Sequence, residues 1–167
     1  INYFQLYGNE NRLDPLFLAS LGFQESMLNQ GAVSPTGAIG VMQLLPATGE
    51  SLNVGNIHLL EPNIHAGAKY MSSLIYALSI DGELSDIERN FFAVAAYNAG
   101  PHRVSSWLQT NGDPRASADP DELIDWIELI PFNETRNYVQ RIMEGVGVYR
   151  DRLNGPFRTL PPAMGRS

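Results

Sequence analysis

Asp14-Pro-Leu-Phe-Leu-Ala-Ser-Leu-Gly-Phe-Gln-Glu25-Ser-Met-Leu28 is the stretch whose reading governs the rest of the chain. Asp14 before Pro15 marks a helix start. The carboxylate can accept from a free N–H of the first turn, and proline fits the first helical position, where its missing N–H is not needed. The run to about Leu28 is apolar nearly all round, which is the pattern of a core helix. Glu25 is the only formally charged residue between Pro15 and Gly49. Burial without a charged neighbour in sequence disfavours the ionised form, so the expected pKa is raised and the group can donate its proton. General acid catalysis near neutral pH needs such a group. Taken alone, a lone glutamate on a helix reads first as a structural residue, salt-bridged to a distant arginine or capping a loop.

Outward from this helix, apolar positions recur at 3.6-residue spacing and period-two runs of β-branched residues are scarce, so the fold class is all-α. A first helix is expected to end near Gly8. Gly31 to Val41, rich in Gly, Ser, Pro and Thr, reads as a folded loop. Pro46 opens a short helix, and Glu61-Pro62 a longer one through Leu78. Asp81-Gly82 reads as a turn. Ser85 with Glu88 is a capping-box pattern for a helix ending near Asn98. After Gly100-Pro101 a short helix to Gln109 is expected, then a polar loop from Asn111 to Pro120. Asp119 to Glu128 reads as a solvated helix with Leu123, Trp126 and Ile127 turned inward. Asn133 is expected to cap the last helix, which carries Tyr138, Ile142 and Tyr149 on one face and ends around Leu153. Residues 1–153 form one domain in this reading, and 154–167 a disordered tail or linker.

Composition narrows the function classes. A chain of 167 residues is one domain by length and can bury a sizeable core. Eleven Lys+Arg against eighteen Asp+Glu give −7, and no basic run is available to displace counterions from a nucleic acid. No apolar run is long enough to span a membrane without polar interruption. With no cysteine there is no disulfide, zinc finger, iron–sulfur cluster or thiol nucleophile, which suits an envelope or secreted location where stray thiols oxidise. The chain begins at Ile1, so any signal peptide is expected to have been removed or to lie outside it. An enzyme or a binding domain remains.

Two further segments bear on Glu25. Ser34-Pro-Thr-Gly-Ala-Ile-Gly-Val-Met-Gln43 follows the acid's helix, and its glycines allow close backbone approach to a ligand. Such a loop can bring Ser34 and Gln43 back toward Glu25. It lacks the Gly-Lys-Ser/Thr ending of a phosphate cradle. Ala95-Ala-Tyr97-Asn98-Ala-Gly100 sets small residues around one aromatic, with hydrogen-bonding groups at a helix end; alone it reads as an ordinary helix stop. His65 lies one turn from Glu61, but two ligands make a poor metal site and no His-Glu-x-x-His is present, so no metal or other cofactor is expected. No Gly-x-Ser-x-Gly elbow or dinucleotide fingerprint occurs. Trp107 and Trp126 could stack on sugars, though core duty is commoner.

Taken in order, Glu25-Ser26, Ser34 to Gln43, Ala96-Tyr97-Asn98-Ala99-Gly100 and Pro131-Phe-Asn-Glu-Thr-Arg-Asn-Tyr138 resemble the catalytic domain of the soluble lytic transglycosylases, the SLT family. The likeness runs from about Leu13 to Arg150. Val41 stands where the family more often has Leu, and Phe23-Gln24 precede the acid where a basic or polar residue is common. Ser51 to Tyr70 is similar to the membrane-bound F-type members.

The resemblance implies a goose-lysozyme-like helical domain with a glycan-binding groove. It implies non-hydrolytic cleavage of the β-1,4 bond between N-acetylmuramic acid and N-acetylglucosamine, leaving a 1,6-anhydro end. Glu25 would act as general acid and then base, with help from the substrate's N-acetyl group. Ser34 would bond the muramic acid, Gln43 a neighbouring sugar, and Met42 would line the groove. Tyr97 would orient Glu25 or the N-acetyl group, Asn98 would brace that turn, and Tyr138 is either a site residue or core packing. Ser26 is expected to make helix or loop contacts, since nothing beside it could activate it as a nucleophile. The expected partner is the peptidoglycan strand in the bacterial periplasm, with room for a secretion, flagellar or divisome assembly and for an upstream domain or anchor. A goose-type lysozyme and a non-cutting glycan-binding domain stay open as alternatives.

Overall fold

The computed structural model describes residues 2–79, 86–117 and 119–154. Within them the chain forms α1 (Tyr3–Glu10), α2 (Pro15–Ser26), α3 (Pro46–Leu52), α4 (Leu60–Leu78), α5 (Asp86–Ala99), α6 (Pro101–Asn111), α7 (Pro120–Glu128) and α8 (Asn133–Asn154). The described residues contain no paired strand, only isolated bridges joining Val33 to Ile39 and Ile39 to Leu44. The all-α expectation holds. The Asp81-Gly82 turn, the Ser85 cap and the tail after Asn154 lie outside the described residues, as does the side chain of Tyr149.

The start of α2 follows its sequence signal: Asp14 Oδ1 accepts from the Leu16 N–H at 2.9 Å, with Pro15 in the first turn. Its end differs from expectation. Met27 and Leu28 both adopt left-handed backbone, at φ 56° and 63°, so the helix stops at Ser26. Hydrophobic character extended the pattern to Leu28, but both side chains are exposed there. Helix α1 runs on to Glu10, α6 continues to Asn111, and Pro114–Ala116 form a short 3-10 turn inside the expected polar loop. Asn133 does not cap α8. It is the first helical residue, and the Phe132 carbonyl accepts from the Arg136 N–H at 2.9 Å.

Helix α5 is the centre of the domain, packed against α4, α6 and α8, while α8 also packs against α2. Phe92, Ala93, Val94, Ala95 and Ala96 are completely buried. The run of small residues lets neighbouring helices approach closely while Phe92 fills the core; its ring meets Trp126 edge-on at 4.9 Å. Trp107 packs edge-on against Phe132 at 5.5 Å, so both tryptophans serve the interior rather than a sugar platform. In α7, Leu123, Trp126 and Ile127 face inward as read from sequence.

The segment from Val33 to Leu44 settles between the end of α2 and the start of α4. A side chain at Gly67 would place its Cβ 2.8 Å from Met42 Cβ, so only glycine lets α4 accept this segment so closely. Gly40 sits at φ +80°, with a Cβ there colliding with Asn63, so backbone and space both require glycine.

Candidate active site

Glu25 lies on the last turn of α2 and is largely withdrawn from water. Burial is the main reason its carboxyl is pushed up to about 7; the hydrogen bond from Tyr138 pulls it down, and the charge of Glu134 pushes it up. Tyr138, on the second turn of α8 and 4% exposed, donates from Oη to Glu25 Oε2 at 2.6 Å. Tyr97 stands close enough that the Glu25 charge adds to burial in raising its phenol well above the ordinary range. Burial and the Glu25 charge do the same to Tyr138. Both hydroxyls therefore stay protonated and act only as hydrogen-bond groups near neutral pH.

The Tyr97 hydroxyl donates to the Met42 carbonyl at 2.7 Å, and its ring leans on Tyr70 at 5.3 Å between centroids. Tyr97 thus ties the end of α5 to the loop that follows α2. Beside it, Asn98 Oδ1 accepts from Thr135 Oγ1 at 2.7 Å, bracing the turn against α8.

The loop residues are placed as follows. Ser34 Oγ accepts from the Ala38 N–H at 3.0 Å and shares a 3.0 Å hydrogen bond with Thr36 Oγ1, closing its own turn. Gln43, at φ 49°, donates from Nε2 to the Gly40 carbonyl at 2.9 Å and to that of Ala32 at 3.2 Å. Its amide latches the loop. Met42 does not line a groove: its side chain is 0% exposed, packed on Gly22 and Gly67, and it reaches the site through its carbonyl alone. The apolar side chain is more stable in the core than at a wet surface. Ser26 makes loop contacts, donating to the carbonyls of Gly22 at 3.1 Å and Val41 at 2.9 Å. Among the described residues, Tyr138 alone forms a hydrogen bond with the Glu25 carboxyl.

Three residues that the sequence reading passed over build the frame. Asn63 is fully buried; its Oδ1 accepts from the Met42 N–H at 2.8 Å, and its Nδ2 donates to the carbonyls of Ile39 and Ile57, each at 2.9 Å. Gln30 Oε1 accepts from the Val41 N–H at 3.0 Å, while its Nε2 reaches the Ile57 carbonyl at 3.1 Å. Thr135 is the third. A signal existed: Asn63 shares the helical stripe of Gly67, Met71, Leu74 and Leu78, and Thr135 that of Tyr138, Val139, Ile142 and Val146. A polar residue within an apolar stripe must find partners. His65 and Glu61 are occupied with Tyr7, whose ring stacks on His65 at 4.2 Å and whose hydroxyl donates to Glu61 at 2.6 Å. Among the described residues no group of three or more His, Asp or Glu side chains is placed to hold a metal ion.

A family model described as the transglycosylase SLT domain matches residues 2–119. The soluble lytic murein transglycosylase of Salmonella typhimurium is 32% identical over 157 residues, covering 88% of this chain and 22% of that protein. The membrane-bound lytic murein transglycosylase F of Pseudoalteromonas translucida is 35% identical over 137 residues, covering 80% of this chain and 27% of that protein. The 70-kDa soluble lytic transglycosylase of Escherichia coli superposes with a TM-score of 0.74 at 30% identity, over 91% of this chain and 24% of that one. The chain thus spans about a quarter of the length of these relatives. Tyr138 lies beyond the matched family span, and its hydrogen bond to Glu25 ties it to the same site. With the helical fold and the matched sequence in agreement, the chain belongs to the transglycosylase SLT domain family.

Proposed function

We propose that this domain is a peptidoglycan lytic transglycosylase that cleaves the bond between N-acetylmuramic acid and N-acetylglucosamine without consuming water. The observation that carries the reading is the Glu25 carboxyl, raised to about 7 by burial and held by Tyr138. A group half-protonated at neutral pH is equally suited to giving a proton and to taking one back. Glu25 gives its proton to the glycosidic oxygen as the bond from muramic acid C1 to that oxygen breaks. The carbonyl oxygen of the same sugar's N-acetyl group bonds to C1 and holds the positive charge. The C6 hydroxyl then attacks C1, the N-acetyl oxygen leaves, and the Glu25 carboxylate takes the hydroxyl proton. The product is a 1,6-anhydro ring, and Glu25 ends protonated as it began. Substrate assistance of this kind is a known exception to the two-carboxylate rule of glycosidases.

In this reading Ser34 and Gln43 shape the sugar-facing loop, and Tyr97 and Asn98 hold the turn opposite it. The chain's net charge of −7 supports recognition through neutral sugar contacts rather than long-range attraction to an anionic polymer. In this reading the domain works in the periplasm of the bacterial envelope, a reading supported by murein being named in the relatives. Among the described residues no helix is long and apolar enough to cross a membrane.

One observation favours a second reading, hydrolysis as in a goose-type lysozyme. The charge of Glu134, in the first turn of α8, contributes to raising Glu25, and a second carboxylate on that side is what water activation would need. Mass spectrometry of soluble products from purified cell-wall sacculi separates the two. Anhydro-ended muropeptides, one water lighter than hydrolysed ones and missing with Glu25→Gln, are expected. Reducing-ended products would establish the lysozyme reading, and binding of sacculi without any products a glycan-gripping domain.

A further inference from the structure

Thr135 and Asn63 are the buried polar side chains of the described residues, and Thr135 is 2% exposed. Its hydroxyl donates to Asn98 at 2.7 Å. Asn98 adjoins Tyr97 at the end of α5, and Tyr138 follows Thr135 by one turn of α8. A hydrogen bond from a buried hydroxyl therefore links the helix end that carries Tyr97 to the helix start that carries Tyr138.

Apart from this bond and the Tyr138–Glu25 bond itself, the described contact between α8 and its neighbours is of another kind. Val139 and Ile142 are completely buried apolar residues, and the polar link from Arg141 to Gln24 is an exposed one at 3.2 Å. Apolar burial is non-directional, so a small slide of α8 along its axis changes it little. A 2.6 Å hydrogen bond between Tyr138 and Glu25 is far less tolerant, because such bonds weaken steeply with distance and angle. A directional tie beside Tyr138 fixes the register of α8 more sharply than apolar burial does, and the Thr135–Asn98 bond lies one turn from where it is needed.

We propose that Thr135 is a positioning residue: through Asn98 it sets the height of α8 at which the Tyr138 hydroxyl meets Glu25. The proposal rests on the reading of Glu25 as the acid. Thr135→Val keeps the shape and removes the donor. It is expected to lower kcat about tenfold, with KM changed less than about twofold, and Thr135→Ser is expected to restore both to within about twofold. In a Tyr138→Phe background the same Thr135→Val change is expected to alter kcat less than about twofold, since the bond it positions is already gone.

A second readout does not depend on turnover. The carbon-13 carboxyl titration of Glu25 should move upward in Thr135→Val, because the Tyr138 donor that lowers it is displaced; Tyr97 stays on α5, and Glu134, which rides on α8 with Tyr138, has the smaller influence of the two on Glu25. If Thr135→Val does not fold, Asn98→Ala removes the acceptor and should give the same upward movement. Equal loss of kcat in both backgrounds, or an unmoved Glu25 titration, overturns the proposal. If the unaltered chain yields no anhydro-ended product, the transglycosylase reading falls, and the titration still decides the role of Thr135.

Discussion

On the loop side of Glu25, every backbone N–H from Ile39 through Leu44 has a partner, supplied by the loop itself, by Gln30 and by Asn63. On the α8 side, one tyrosine hydroxyl reaches the carboxyl. The loop is a redundant frame sunk between α2 and α4, where removing a member loosens the fold. The α8 side offers the carboxyl one directional bond, on a helix whose described core-facing residues are mostly apolar and whose register the Thr135–Asn98 bond ties to α5, so that removing the Tyr138 hydroxyl alters the acid and leaves the fold nearly intact. Stability and chemistry are thus carried by different walls of the same site, and substitutions on each wall should separate them.

Glu25→Gln has the largest expected effect. Release of soluble muropeptides should fall about a thousandfold, within the range of general acid–base contributions. The same change should stabilise the fold above pH 7. The unfolded carboxyl titrates near its ordinary 4.5 and the folded one near 7, so stability from this group is complete below 4.5 and is lost as pH rises through about 7. The difference corresponds to about 1–3 kcal/mol, read by urea unfolding at pH 5 and pH 8 with and without the substitution. A glutamine no more stable than glutamate at pH 8 would place the carboxyl in a better-solvated setting.

Asn63→Ala tests the frame. It leaves the Met42 N–H and the carbonyls of Ile39 and Ile57 without their partner, and about 3 kcal/mol of stability should be lost in urea unfolding. Tyr138→Phe tests the other wall: the rate should fall about ten- to a hundredfold while stability changes by less than about 1 kcal/mol. Were these two results exchanged, the division between frame and tuning contact would be wrong. Tyr97→Phe has the smallest expected effect on rate and touches both walls, because its hydroxyl joins α5 to the loop through the Met42 carbonyl. About 1 kcal/mol of stability should be lost, with a rate loss of only a few-fold. Unchanged activity on cell walls would remove that hydroxyl from the catalytic account.

The same division explains what could be read from the residues. Local physics placed α2, because Asp14-Pro15 and an apolar run are signals within one helix. It also singled out Glu25, because the absence of other charges for tens of residues is visible in one dimension. The end of α2 was misplaced because Met27 and Leu28 are exposed apolar residues in left-handed backbone, a conformation that neither residue type advertises. Met42 was expected at the groove, yet Gly22 and Gly67 open a core seat for it that only the folded chain displays. Gln43 was expected to face sugar; its amide nitrogen is engaged with Ala32 and Gly40, bonds that depend on the turn at Gly40. From sequence Tyr138 reads equally as site or core, because a hydrogen bond spanning 113 positions leaves no trace in sequence spacing. Asn63 and Thr135 were legible only as polar residues in apolar stripes, a signal that says a partner is needed without saying which.

The most direct test of the account is the titration of the Glu25 carboxyl, followed by carbon-13 NMR in the unaltered chain and in Tyr138→Phe. The account predicts a midpoint of about 7 in the first and a higher one in the second, since burial raises the value and the tyrosine donor lowers it. A midpoint in the ordinary carboxyl range, or one indifferent to Tyr138→Phe, would contradict a buried acid tuned by α8.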